Sequence, residues 1–225
     1  LRTLPRGEHA VRILDGARLR RMIAINRDIF IRTMCVVSML AVFMAKSAAL
    51  GDVTLAANQV LYNLLAFTSY GLDGFAFAAE AMIGQAVGRG ERHEFRRAVR
   101  VVFLWAAAGA AVNVLIYWAA GGAVIALLTS IPEGRQAAHA FLPWAVLMPA
   151  ISVWAFTYDG IYLGVTRTRI MRNTMIIAFA AFLAGVQLLP QIMGNHGLWL
   201  AIALFMGFRG TGLMLAYPKL ARAVG

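Results

Sequence analysis

A single cysteine, Cys35, in a chain of 225 residues leaves no partner for a disulfide and no thiol cluster for a metal. It lies inside an apolar run, where a small side chain fills core space. Charge is also scarce: 14% of the residues are Asp, Glu, Lys or Arg, against about 25% in soluble domains. Acids are the rarer sign, ten Asp and Glu against 21 Lys and Arg. Catalytic signatures are missing as well. There is no G-x-S-x-G, no Walker A lysine and no paired cysteine, which excludes the nucleophile-elbow, P-loop and dithiol classes. The stretch "HEFRR" at 93–97 lacks the second histidine of a zincin helix, and His9, His139 and His196 are scattered. No enzymatic activity, metal or cofactor is expected.

What is abundant is hydrocarbon. The chain is 61% hydrophobic with a mean hydropathy of +0.72, and the solvent suited to such a composition is lipid. Six apolar segments run through 29–50, 53–88, 98–131, 136–165, 173–190 and 197–217. A membrane-spanning helix needs about 20 residues at 1.5 Å rise, so each segment can cross once. Outer-membrane strands alternate apolar and polar residues over about ten positions, whereas these runs are continuous and rich in Ala and Leu. The second and third exceed a bilayer's need and are expected to tilt or kink, and Pro143 and Pro149 to bend the fourth. The expected architecture is an all-α integral membrane protein, a bundle of six transmembrane helices.

Charge placement gives the direction of the chain. Eighteen of the 21 basic residues fall on one side. They precede or enter the first segment (Arg2 to Arg32), link the second to the third (Arg89 to Arg100), link the fourth to the fifth (Arg167, Arg169, Arg172), or follow the sixth (Lys219, Arg222). The opposite connections hold only Lys46 and Arg135. Short loops rich in Lys and Arg stay cytoplasmic, so both ends are expected inside, in a bacterial inner membrane. The net charge of +11 is then a topology signal, and no nucleic-acid partner is implied. Residues 9–25 carry Val11, Leu14, Leu19, Met22 and Ile23 at helical spacing. They predict an amphipathic helix on the cytoplasmic membrane surface, with Asn26 capping the next helix and Asp28 in its first turn. The organisation expected is a linker over 1–27, a six-helix lobe over 28–218 and a tail over 219–225.

Membrane-length segments with acids inside them need an explanation. Asp73 and Glu80 lie in "YGLDGFAFAAEAMIGQAVG", 70–88. Seven residues correspond to 700° of rotation, which puts both within about 20° of one face and about 10.5 Å apart along the axis. A charged acid at a span centre costs on the order of 2.5–3.5 kcal/mol, so both must face protein or water. At an effective dielectric of about 20 their mutual repulsion is only about 1.6 kcal/mol, and desolvation dominates. Groups so placed are suited to taking up and releasing protons. Asp159 in the fourth segment is a third intramembrane acid, and Arg209 in the sixth is the intramembrane base. Two readings stand beside each other: Arg209 pairs with an acid and joins two helices, or these groups form a proton, cation or cationic-substrate pathway. Asn58, Asn63 and Tyr158 are candidates for a polar cavity, with interhelical hydrogen bonding as the other role for the amides. Tyr62, Phe67, Phe75 and Phe77 offer flat surfaces for apolar ligands or for packing.

Two stretches are familiar. "LAANQVLYNLLAFTSYGLDGFAFAAEAMIGQAVGRGE", 55–91, resembles the eighth helix and following loop of the multidrug and toxic compound extrusion (MATE) family, in its DinF-like branch. "YDGIYLGVTRTRIMRNTM", 158–175, is similar to that branch's tenth helix and the loop after it. The resemblance implies a transporter of twelve helices in two six-helix lobes related by a pseudo-two-fold axis, of which this chain supplies the C-terminal lobe. That also accounts for an opening on Leu1 without a secretory signal. It further implies small organic, often cationic, substrates exchanged for protons or sodium by alternating access, with membrane lipids and an N-terminal lobe as partners. Asp159 resembles the fourth-helix acid of the sodium-using branch. The first segment has no acid in its core to complete such a pair, only Asp28 before it and Asp52 after it. The proton-carrying acid of DinF-like members lies on a helix outside this chain. The competing expectations are a lipid-linked-precursor flippase of related architecture, which needs a wider cationic cavity than one arginine provides, and a structural subunit without transport.

Overall fold

Links of one to three residues join six helices in chain order: α1 (Gly16–Ala49), α2 (Asp52–Arg89), α3 (Arg92–Leu128), α4 (Pro132–Gly164), α5 (Thr168–Met193) and α6 (Asn195–Ala223). The structure is a computed structural model that describes residues 16–223, and among these there is no strand. The stops follow from local chemistry. Gly90 takes a left-handed conformation, φ 70°. Its own N–H reaches the Val87 carbonyl and that of Glu91 the Ala86 carbonyl, the Schellman arrangement that only a residue without Cβ enters freely. Pro132 opens α4, where its missing N–H removes no helical bond. Pro143, Pro149, Pro190 and Pro218 lie inside helices that continue through them.

Three expectations change. Asn26 caps nothing: α1 runs unbroken from Gly16 past it, because nothing between Ala17 and Asp28 interrupts a strongly helix-forming stretch. The amphipathic lead-in is therefore, from Gly16 onward, the first part of α1, while its residues 9–15 lie outside the described residues. The boundaries at 27/28 and 218/219 fall within α1 and α6. Finally, five helices, α1 and α3 to α6, are long and apolar enough to cross a membrane. At 38 residues α2 is the longest, but Asn58, Gln59, Asn63, Asp73, Glu80 and Gln85 interrupt it and it falls short on apolarity.

α4 packs against α2, α3, α5 and α6. Every residue from Ala155 to Tyr162 is buried. Its approach to α2 depends on missing side chains. A Cβ on Gly160 would land on the Ala76 carbonyl, and one on Gly164 would meet the Glu80 carbonyl at 2.8 Å. The pair forms a G-x-x-x-G face that lets two backbones come close. Around α5 and α6 the core is filled by Phe43, Phe182, Trp199 and Phe205. The outer surface is apolar, with Leu127, Ile192 and Trp118 among the most exposed side chains, as expected where hydrocarbon replaces water.

Candidate functional site

Asp159 sits in the buried run of α4, 3% exposed, and cannot remain there as an unpaired charge. Two guanidinium groups meet it. Arg209 on α6, 2% exposed, donates from Nη2 to Asp159 Oδ2. Arg32 on α1 donates from its own Nη2 to the same oxygen at 2.5 Å. Among the described residues, Oδ1 of Asp159 has no hydrogen-bond partner, and neither do the Nε atoms of Arg32 and Arg209. The Arg209 guanidinium also lies 4.9 Å from the Phe156 ring centroid, a cation–π contact in a desolvated setting. Three helices thus converge on one carboxylate oxygen.

One carboxylate cannot neutralise two guanidinium groups, and the balancing charge stands across a cavity of 280 Å³. Asp73 on α2 lines it together with Arg32, Arg209, Tyr62, Ser69 and Tyr70. Asp73 is half-buried and forms no ion pair among the described residues, while Arg32 and Arg209 line the same cavity. The centre therefore contains two acids and two bases. One acid is doubly engaged and enclosed, and the other is free and open to the cavity.

The sequence expectations divide accordingly. Asp73, Asp159 and Arg209 come together. Glu80 does not: it is exposed and outside the cavity lining, because about 10.5 Å of helix carries it past the charge cluster although it shares the face of Asp73. Asn58 and Tyr158 do not line this cavity. Asn58 is fully buried near the other end of the bundle, donating to Ser47 Oγ and Asn195 Oδ1 at 2.7 Å each. Its Oδ1 accepts from Asn195 Nδ2 and Trp199 Nε1 at 2.9 Å each. Every hydrogen-bonding position of the amide is used in clasping α1, α2 and α6. Tyr158 packs between Phe103 and Tyr217, ring centroids 4.9 and 5.7 Å away. Asn63 is half-buried and absent from the lining, one helical step from Tyr62, which does line the cavity. Among the aromatic candidates, Phe67 and Phe77 are exposed outside the cavity and Phe75 lies against Gly109 of α3.

Arg32 escaped the sequence reading, which counted it among the basic residues leading into the first segment. The available signal was Asp28 one turn before it, an apparent i,i+4 partner. In the fold Asp28 is claimed elsewhere, by Arg172 at 2.8 Å, Arg27 at 3.2 Å and the Thr168 hydroxyl at 3.2 Å. Arg32 is left to reach α4.

A family model described as MatE matches residues 29–190. The chain belongs to the MatE family. The matched residues include Arg32, Asp73, Glu80 and Asp159, while Arg209 lies beyond them. The chain is also 39% identical over 200 residues to the DNA damage-inducible protein F of Escherichia coli (strain K12). That alignment covers 89% of this chain and 43% of the relative, so the chain spans less than half of that protein's length. MatE membership and five long apolar helices make this a multi-pass membrane protein of the DinF-like kind.

Proposed function

We propose that the chain is one six-helix lobe, the C-terminal one, of a secondary efflux antiporter. It exports small organic, often cationic, compounds in exchange for protons by alternating access. MatE membership and likeness to a protein more than twice as long support the lobe reading, and an N-terminal lobe completes the transporter. The basic side, with both chain ends, faces the cytoplasm of a bacterial inner membrane.

The observation that carries the coupling is the shared oxygen. Arg32 and Arg209 both donate to Asp159 Oδ2, at the edge of a cavity into which Asp73 opens. When Asp73 holds a proton, the two guanidinium groups have only Asp159. When it releases the proton, Arg32, the less buried of the pair, gains a second carboxylate and the charge of the centre balances. Cavity protonation and helix position are thereby linked through Arg32, which joins α1 to α4. Protons fit this centre better than sodium, because two guanidinium groups flank the Asp159 carboxylate and line the cavity, and their charge repels a metal cation. Asp73 also gives a cationic substrate a carboxylate to displace the proton from.

The test is pH-driven export in the complete transporter. Asp73→Asn is expected to abolish export driven by a pH gradient while expression and thermal stability hold, and Glu80→Gln to leave it intact. Undiminished export by Asp73→Asn would refute the coupling role.

A further inference from the structure

At the basic end of the bundle, beginning one helical turn before Arg32 on α1, a second cavity of 270 Å³ opens between the N-terminal part of α1 and the α4–α5 link. Its wall carries Arg21, Arg167 and Arg169, with the Thr166 and Thr168 side chains between them. The single acid in the lining is Asp28, and it is already occupied by Arg172, Arg27 and Thr168. Arg21 uses one donor on Thr166 Oγ1 at 3.1 Å and keeps the rest of its five. The Arg167 and Arg169 side chains are exposed and have no ion pair among the described residues. The cavity therefore gathers guanidinium donors far in excess of its carboxylate.

We propose that this cavity is a phosphate-binding site filled by the phosphodiester headgroup of an anionic membrane lipid. Guanidinium forks and hydroxyls are the donor set that phosphate oxygens accept from, and basic pockets between helices at the cytoplasmic boundary suit acidic headgroups. A lipid is favoured over a free anion by what adjoins the arginines. Ala24, Ile25 and Ile170 line the same cavity, and Met22, Ile23 and Phe30 of α1 are exposed nearby, an apolar path for acyl chains. Occupancy would tie α1 to the start of α5, reinforcing the contact that Asp28 and Arg172 already make. This site is independent of the transport reading and needs only that the protein lies in a membrane.

The experiment measures binding of phosphatidylglycerol to the purified chain in neutral detergent by native mass spectrometry. Arg167→Gln/Arg169→Gln is expected to weaken binding about 30-fold, the loss anticipated from two arginines at an anionic lipid. Arg92→Gln/Arg100→Gln, an equal charge change outside the cavity, should alter it no more than about threefold. Both arginine pairs are exposed, and unchanged helicity and Tm of the variants check that the fold is intact. Equal losses from the two pairs would overturn the site, leaving only general surface attraction. Inorganic phosphate displacing the lipid at comparable concentration, or phosphatidylcholine binding as tightly, would overturn the lipid assignment.

Discussion

At the scale of single residues, the charge centre is held by one oxygen atom, and its vulnerability follows from that. Asp159→Asn leaves two guanidinium groups facing each other with no carboxylate between them. Breaking a buried pair by removing one partner costs about 3–5 kcal/mol, and a loss of this size is expected in the thermal or denaturant stability of the variant. Adding Arg209→Met to Asp159→Asn should recover part of it, because the most deeply buried cation goes with its partner. Additive losses in that double-mutant cycle would mean that the pair is not coupled. Asp159 and Arg209 were legible in the sequence because a charge inside a long apolar run demands a partner. Which partner was not legible: Arg32 and Asp28 stand one turn apart on α1, yet each finds its counterpart on another helix. Local spacing favours the i,i+4 pair, and tertiary packing overrode it.

Elements are positioned by small residues and by one amide. Gly160→Ala would set a methyl group against the Ala76 carbonyl, where neither backbone can yield without separating α2 from α4. Overpacking in a core costs typically about 1–3 kcal/mol. Here the expected readout is also functional, because α2 carries Asp73 and α4 carries Asp159. Gly88→Ala, with open space around the added carbon, is the control and should change stability little. Asn58→Ala would leave Asn195 and the Trp199 N–H buried without their partner, at about 1–3 kcal/mol for each unsatisfied group. The length and continuity of the apolar runs were enough to read the six helices. The join between lead-in and first span was not readable, since Asn caps helices in many contexts and nothing local says that α1 should continue through it. The character of α2 was half-legible: its polar residues stood out, but that Asn58 serves packing while Asp73 faces a cavity depends on which neighbours surround each.

For the whole molecule, six helices joined by links of one to three residues leave little choice but to alternate direction. With Cys35→Ser as background, His93→Cys on the basic side should react with a membrane-impermeant thiol reagent only from the cytoplasm, and Ser130→Cys at the opposite end only from outside. Labelling of both from one face would reject the topology. The asymmetry of Lys and Arg is what predicts this direction without any structure. In the transport cycle proposed above, the same short links would make the six helices move together, since they limit how far any helix can slide against its neighbour in sequence.

The placement of partners has a consequence for how the protein is made. Asp28 and Arg32 sit on α1, the first of the described helices to leave the ribosome, while the groups that pair with them on other helices belong to α4 and α5, 127 to 144 residues later. Until those helices are synthesised, α1 must keep its ionised groups near the headgroups by snorkelling or beside the insertion machinery. Arg209, on the last helix, arrives after Asp159 has already entered. A chain stopped before α6 would therefore hold Asp159 with only Arg32, among the described residues, to answer it.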